Sequence, residues 1–410
     1  MIHFIIYLYT LLTGIGLLLA LPFLLIFLPF RELKQRLGFV KSEHSGFIWF
    51  HCASVGEVNA LKPLLIEFKK SHPTEKILLT TMTTNGLNTA KIISEIDIVN
   101  LIPLDFLPLI NNFLRKLQPK MIILIETELW PSLLYLAKLR SIPVSIVNGR
   151  ISDYSYKKYR LLSFLFRGIN KSIAFVGTQS DLDRQRFTAL GFRNVINTHN
   201  LKFCLQLPEY NPQEIRDQWH LKEEDFVLVW GSSRPGEEEL LLSILPELKK
   251  NIPSLKIIIA PRHLKRLQQV TSILNKTSYA LLSQITSDYD ILLIDEMNIL
   301  TKAYAIADLA IVGGSFCDFG GHNPLEPAYY SKPTIIGNFH SSCKHIVKTL
   351  MENSAILISS RDKLLNDILQ LYDQKELRIT LGKNARKTID ENADSVQENL
   401  HHLNSILNKP

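Results

Sequence analysis

From Phe4 to Phe30 the chain carries no Asp, Glu, Lys or Arg, an apolar run of 27 residues. About 20 such residues suffice for an α-helix to cross a hydrocarbon core, so the run predicts a membrane-anchor helix. A cleaved signal peptide wants a positive start and small residues at its end. Here the start is Met1-Ile2-His3 and the end is Leu28-Pro29-Phe30. Pro22 and Pro29 keep a buried or interfacial helix as the alternative. Arg31, Lys34 and Arg36 follow at once, and a basic flank of this kind places the following domain on the cytoplasmic side. One anchor on a cytoplasmic enzyme suggests a substrate that lives in the membrane.

Beyond residue 36 the pattern changes to short apolar runs separated by stretches with helical spacing. The first series of predicted strands is Phe47–His51, Ile77–Thr81, Val99–Pro103, Met121–Glu126, Val144–Asn148 and Ala174–Gly177. A second series is Phe226–Gly231, Leu255–Pro261, Ile291–Asp295, Leu309–Gly313 and Pro333–Gly337. Between strands, sets such as Leu61, Leu64, Leu65 and Phe68 recur at helical spacing. Alternation of this kind argues for an α/β protein with parallel sheets covered on both faces. The expected organisation is an anchor and basic flank over 1–36, an N-terminal domain over 37–206, a linker over 207–224 and a C-terminal domain over 225–410. The linker rests on the polar, proline-punctuated stretch from Leu207 to Gln213. Two doubly wound domains facing each other would bind ligands in the cleft at the carboxyl ends of their strands. Lys363–Leu407 reads as helices rich in charge and leucine.

Composition narrows the partners without choosing one. Of 410 residues, 46% are hydrophobic and 21% charged, ordinary for a globular chain. The net charge of +7 suits an anionic substrate or a membrane face. No basic run with interleaved aromatics points to nucleic acid. The four cysteines lie far apart with no C-x-x-C pair, so neither a disulfide framework nor a zinc site is expected. No G-x-G-x-x-G follows a strand and no P-loop occurs, which disfavours dinucleotide dehydrogenases and P-loop nucleotidases.

Six motifs carry candidate chemistry, five at predicted strand ends and one, around Lys202, near the end of the first half. In His51-Cys-Ala-Ser-Val-Gly-Glu57 the carboxylate is either a general base with a raised pKa or an ordinary helix-start acid. Glu126, in Glu126-Thr-Glu-Leu-Trp-Pro131, either stabilises an oxocarbenium-like transition state or forms a structural ion pair. Lys202, in Asn200-Leu-Lys-Phe203, either neutralises an anion or is a solvated surface group. Trp230-Gly-Ser-Ser-Arg-Pro-Gly-Glu237 and Ala260-Pro-Arg-His263 offer backbone amides and guanidinium groups to a phosphate, or are plain turns. The sixth runs from Val312 to Pro327 and holds four glycines within the nine residues 313–321. Such density points to close approach of backbone and ligand, or to a flexible surface loop. Asn323 and Glu326 are then expected on the first turn of the next helix, with the carboxylate on ribose hydroxyls. His322 has no partner at metal-ligand spacing, so no metal is expected.

With these residues laid out, the chain resembles the Kdo transferases of lipopolysaccharide assembly, which move 3-deoxy-D-manno-octulosonic acid from CMP-Kdo to a lipid A precursor. The resemblance rests on Ser54-Val-Gly-Glu57, Glu126-Thr-Glu-Leu-Trp-Pro131, Pro261-Arg-His263 and Gly320-Gly-His-Asn-Pro-Leu-Glu326. It implies two facing Rossmann-like domains, the two-domain B-type glycosyltransferase fold, with terminal helices that cross back to the first domain. It implies an inverting, metal-independent glycosyltransferase without cofactor, using CMP-Kdo as donor and lipid IVA as acceptor at the inner membrane. Glu57 would be the catalytic base, with Glu126 and Lys202 stabilising the transition state. Pro261, Arg262, Met297, Asn298, Ile299, Asn323, Pro324, Leu325 and Glu326 would bind CMP.

Two stretches depart from the family pattern. Its usual Met-Gly-Glu-Leu is here Met297-Asn-Ile-Leu300, and its Thr-Gly-Asn/Ser-Leu-Lys-Phe-Asp is here Thr198-His-Asn-Leu-Lys-Phe-Cys204. A membrane-anchored transferase of the same fold using a UDP-sugar is the nearest alternative. A non-catalytic membrane-anchored binding protein is the alternative of another class.

Overall fold

The computed structural model describes residues 2–161, 163, 168–205, 207–285 and 289–408, and the chain divides into two compact units. Unit 1 comprises Met1–Cys204 and Asn392–Pro410, and unit 2 comprises Leu205–Glu391.

Unit 1 is built on a seven-stranded parallel sheet: β1 (Ile48–Cys52), β2 (Ile77–Thr81), β3 (Ile98–Leu101), β4 (Met121–Ile125), β5 (Val144–Gly149), β6 (Ile173–Thr178) and β7 (Val195–Asn197). The spatial order is β3-β2-β1-β4-β5-β6-β7. The central strand β4 is apolar at every position because both faces are covered. Along β4, Ile122 and Leu124 enter one core cluster, while Met121, Ile123 and Ile125 enter the other. That is the period-2 alternation of a strand, with apolar residues on both sides.

Unit 2 repeats the plan with β8 (Phe226–Ser233), β9 (Leu255–Pro261), β10 (Tyr279–Leu281), β11 (Ile291–Leu293), β12 (Leu309–Val312), β13 (Thr334–Gly337) and β14 (Leu357–Ser359), ordered β10-β11-β9-β8-β12-β13-β14. Along β8, Phe226, Leu228 and Trp230 face one cluster and Val227 and Val229 the other. Strands β7, β10 and β14, each of three residues, were not expected from the sequence. Part of the expected linker is structured: Pro212–Gln218 is a helix, and Ile215, Trp219 and Leu221 are buried in the core of unit 2. Asn211 starts it by accepting a hydrogen bond from the Gln213 amide, with Pro212 at the first helical position.

The last helix, Ser395–Leu407, belongs to unit 1. Val396, Leu400 and Leu403 pack in the same cluster as Leu61 and Leu64 of the helix Val55–Ser71. Asn404 Oδ1 bonds His72 Nε2 at 2.8 Å, and the His402 ring stacks on Phe175 with centroids 4.5 Å apart.

The N-terminal helix, Ile2–Phe27, is long and apolar enough to cross a membrane, with a mean hydropathy of 2.4. Its first turns also pack on unit 1. Ile6 is buried in the core, and His3 Nδ1 lies 2.6 Å from the Tyr135 hydroxyl. Tyr9 donates to Asp105 at 3.0 Å. The basic flank divides in the same way. Arg36 turns inward, donating to the carbonyl oxygens of Met82 and Ile102.

Candidate active site

In unit 1 the chain winds outward in opposite directions from β1 and β4, which are neighbours. A doubly wound sheet opens a crevice at such a switch point, beyond the carboxyl ends of the strands. Both loops that leave β1 and β4 there carry carboxylates.

The first loop ends in a helix start. Ser54 has extended backbone, and its hydroxyl oxygen accepts from the Glu57 amide at 3.4 Å. The same hydroxyl donates to Glu57 Oε1 at 3.0 Å, and the Ala53 amide donates to Oε2 at 2.7 Å. The Ser-x-x-Glu spacing is that of a capping box, a signal that would have fixed the direction of Glu57 from sequence alone. The carboxyl is therefore folded back toward the end of β1, and only 7% of Glu57 is exposed. Burial raises its pKa to about 7, and the negative charge of Glu126 adds to the rise. The Ala53 and Ser54 hydrogen bonds oppose it. The helix-start acid is thus also a buried carboxyl of raised pKa.

Glu126 follows β4 in left-handed backbone, with φ of 61°. Its amide donates to Val147 O at 3.0 Å, tying the turn to β5. Lys202 Nζ donates to Glu126 Oε1 at 3.2 Å. Lys202 stands on a single 3₁₀ turn, Leu201–Phe203, started by Asn200, whose Oδ1 accepts from the Lys202 amide at 3.0 Å. Asn148 Oδ1 at the end of β5 accepts from the Leu201 amide at 3.0 Å and holds that turn against the sheet. Glu57, Glu126 and Lys202 are therefore gathered beyond the carboxyl ends of the central strands.

Two neighbours had no role in the sequence reading. Glu128 accepts from the Trp130 indole at 2.9 Å and lies 3.8 Å from Nε2 of His51. His51 is fully buried, its Nδ1 lies 2.9 Å from Thr80 Oγ1, and its Nε2 has no hydrogen-bond partner among the described residues. Both residues lie inside motifs picked out above, but the contact joins two strand ends about 77 positions apart in sequence and no local pattern reveals it.

In unit 2, a cavity of about 410 Å³ lies at the ends of β9 and β11. Pro261, Arg262, Met297, Asn298, Ile299 and Glu326 line it. The Arg262 side chain is exposed and makes no hydrogen bond or ion pair among the described residues. Burial raises the pKa of Glu326 against the pull of the Arg262 charge. Asn298 has φ of 63°. The family pattern has glycine there, and asparagine is the residue that next most readily takes left-handed backbone. His199 likewise stands at φ of 60° where the family has glycine.

Asn323, Pro324 and Leu325 do not line the cavity. Asn323 precedes the next helix, Leu325–Tyr329, instead of lying on its first turn. Its Oδ1 accepts from the Leu325 amide at 3.1 Å and so starts the helix, while Pro324 and Leu325 are buried. The start of the glycine-rich loop packs closely against the protein itself. A Cβ at Gly313 would sit 2.5 Å from Ser232 O, and Gly314 has φ of 70°. The amides of Gly314, Ser315 and Phe316 donate to Glu237, so the group the backbone approaches there is a carboxylate of the protein. His322 is pushed down to about 4 by burial and by Arg262 and Arg234, and is neutral at pH 7. Among the described residues, no group of three or more His, Cys, Asp or Glu side chains is placed to hold a metal ion.

The sequence pattern of the 3-deoxy-D-manno-octulosonic-acid transferases (kdotransferases) matches residues 31–205. A bifunctional glycosyltransferase/methyltransferase of Fusobacterium nucleatum is 36% identical over 336 residues, covering 78% of this chain and 51% of its own. The chain thus spans about half the length of that relative. A 3-deoxy-D-manno-octulosonic acid transferase of Haemophilus influenzae is 31% identical over 375 residues, 88% of this chain and 87% of its own. Among solved structures, the UDP-GlcNAc 2-epimerase of Neisseria meningitidis covers 88% of this chain and 100% of its own, with a TM-score of 0.58 and 14% identity. That likeness concerns the fold alone, two Rossmann-like sheets of the glycosyltransferase B type.

Proposed function

Because this chain belongs to the 3-deoxy-D-manno-octulosonic acid (Kdo) transferase family, we propose that it moves Kdo from CMP-Kdo to lipid A precursor (lipid IVA) with inversion at the anomeric carbon. The observation that carries the reading is Glu57, a buried carboxyl raised to about 7 beside the Glu126–Lys202 pair. A base of that pKa is matched to neutral pH. The acceptor hydroxyl gives its proton to Glu57 as its oxygen bonds the anomeric carbon. The carbon–phosphate oxygen bond breaks, and its electron pair leaves with CMP. Glu126 and Lys202 stabilise the charge that develops.

CMP is assigned to the cavity of unit 2, with Pro261 and the 297–299 loop as walls and Arg262 on the phosphate. Glu326 is assigned to the ribose. The leaving group is a monophosphate, and guanidinium and backbone groups are sufficient to neutralise it. The reaction is accordingly proposed to need neither metal nor cofactor, and transfer in EDTA should equal transfer without it. The N-terminal helix is assigned to the inner membrane, with the catalytic units on its cytoplasmic face.

The direct test is mass spectrometry of lipid IVA incubated with the enzyme and freshly generated CMP-Kdo. One or more Kdo units should be added, with release of CMP and no reaction of UDP-sugars. Unaltered lipid IVA would overturn the assignment. Arg262→Ala should weaken CMP binding roughly tenfold to a hundredfold, the range of a hydrogen-bonded charge contact. Glu326→Ala should weaken it in the same direction. Calorimetry that found both variants unchanged would misplace the donor site.

The pH dependence has a definite sign. Glu57 acts as a base only when ionised, so turnover should rise with pH through a midpoint near 7. Glu128→Gln removes one of the charges that raise this pKa and should move the midpoint downward. An ascending limb near the ordinary carboxylate pKa would remove Glu57 from the role.

A further inference from the structure

Between the N-terminal helix and the body of unit 1 lies a groove of about 360 Å³. Thr13, Gly16 and Ala20 form its helix wall, and Leu104, Phe106 and Trp130 stand opposite. The helix is close at one point and apart at another. A Cβ at Gly14 would come within 3.1 Å of the Phe106 ring, whereas one at Gly16 would meet nothing within 4 Å.

The polar atoms of the wall are already hydrogen-bonded within the protein, the Asp105 carboxylate among them, which accepts from the Ser132 amide at 3.0 Å and the Leu133 amide at 3.1 Å. The Tyr9 hydroxyl donates to Asp105 at 3.0 Å. The Thr13 hydroxyl donates to Tyr9 O at 2.8 Å. The Trp130 indole donates to Glu128 at 2.9 Å. What remains to face the groove is hydrocarbon, so its ligand is apolar. Trp130 joins this groove to the carboxylate cluster, because Glu128 both accepts its N–H and contributes to the raised pKa of Glu57. The opposite face of the helix exposes Phe4, Leu8, Leu11, Ile15, Leu18 and Leu19, a surface that a bilayer would cover.

We propose that this groove is an acceptor subsite that takes one fatty acyl chain of the lipid acceptor while the sugar to be modified lies at Glu57. The inference rests on the lipid-acceptor reading above and deepens it. It makes the N-terminal helix part of the acceptor site, so the helix does more than raise the enzyme's concentration at the bilayer.

Gly16→Leu places a side chain in the groove at a position where an added Cβ meets nothing within 4 Å. In the full-length enzyme in detergent it should raise KM for lipid IVA at least tenfold and leave kcat unchanged. Both constants for the same acceptor stripped of its acyl chains should be unaffected. In the parent enzyme, shortening the acceptor's acyl chains should raise KM by roughly fourfold for each methylene withdrawn from the groove. An unchanged KM for lipid IVA, or an equal rise for both acceptors, would overturn the proposal.

A second measurement does not depend on turnover. 12-Bromododecanoate should quench tryptophan fluorescence in the parent, with the quench lost in Trp130→Phe and in Gly16→Leu. Quenching that persists in Gly16→Leu overturns the acyl site. If the quench behaves as expected but no Kdo is transferred, the acyl site stands and the functional assignment fails.

Discussion

Glu57→Gln should lower the rate of Kdo transfer by about 10²–10⁴, the usual effect of removing a general base. Affinity for CMP should stay unchanged, because the groups assigned to the nucleotide lie in the cavity of unit 2. The fold should tolerate the change. A glutamine oxygen can still accept from the Ala53 amide, and its NH₂ can donate to the Ser54 oxygen. Linkage gives the variant a second signature. A carboxyl whose folded pKa is raised from 4.5 to about 7 contributes stability at low pH that is lost as pH rises through 7. Glutamine does not ionise, so the variant should match the parent near pH 4.5 and exceed it at pH 8.5. The gain should be on the order of 1–3 kcal/mol, discounted for partial relaxation. Single-turnover mass spectrometry and thermal melts at the two pH values check both parts. Near-parental turnover would remove the base assignment; loss of activity together with loss of stability at pH 8.5 would mean that Glu57 matters chiefly as a helix cap.

What was legible in the sequence follows from where the determining interactions lie. Strands such as Met121–Ile125 could be read because a parallel sheet covered on both faces demands apolar residues at every position. The three-residue strands β7, β10 and β14 are all edge strands and carry too few side chains to make a pattern. The helix Pro212–Gln218 was hidden because its proline and polar residues look like a linker. The apolar residues that anchor it, Ile215, Trp219 and Leu221, are few and spread over two turns and a bend. At the candidate site, Glu126 was legible as an acid placed directly after an apolar strand, and Glu57 as an acid in the first turn of the helix that follows another. Their pairing with each other and with Lys202 depends on the order β1-β4-β5-β6, which brings distant loops to one end of the sheet. The departures at Asn298 and His199 could be noticed as sequence differences. Only the backbone angles show that both keep the left-handed geometry of a glycine.

The second large effect is expected at Glu237, which local sequence presents as an ordinary acid at the start of a helix. Its carboxylate is fully buried and accepts from the amides of Arg234 at 2.9 Å, Gly314 at 2.8 Å, Ser315 at 3.0 Å and Phe316 at 3.0 Å. It thereby joins the loop after β8 to the loop after β12, neighbouring strands at the switch point of unit 2. Burial raises its pKa more than the four hydrogen bonds lower it, so the site is costly to charge and depends on every donor being in place. Glu237→Ala leaves four donors without an acceptor. Each orphaned buried amide costs about 1–3 kcal/mol before relaxation, and removing one side of a buried charged contact typically costs about 3–5 kcal/mol in all. For a unit of this size that is a fall in Tm of roughly 6–20 °C. Glu237→Gln should recover little, since its NH₂ would face amide donors. The control is Glu239→Ala two residues on, an exposed acid whose single bond to the Gly236 amide at 3.0 Å is a helix cap worth about 1 kcal/mol. Calorimetry of unit 2 unfolding in the full-length chain separates the two. A Tm for Glu237→Ala within two or three degrees of Glu239→Ala would mean that water replaces the carboxylate, and that the glycine-rich loop holds its shape without it.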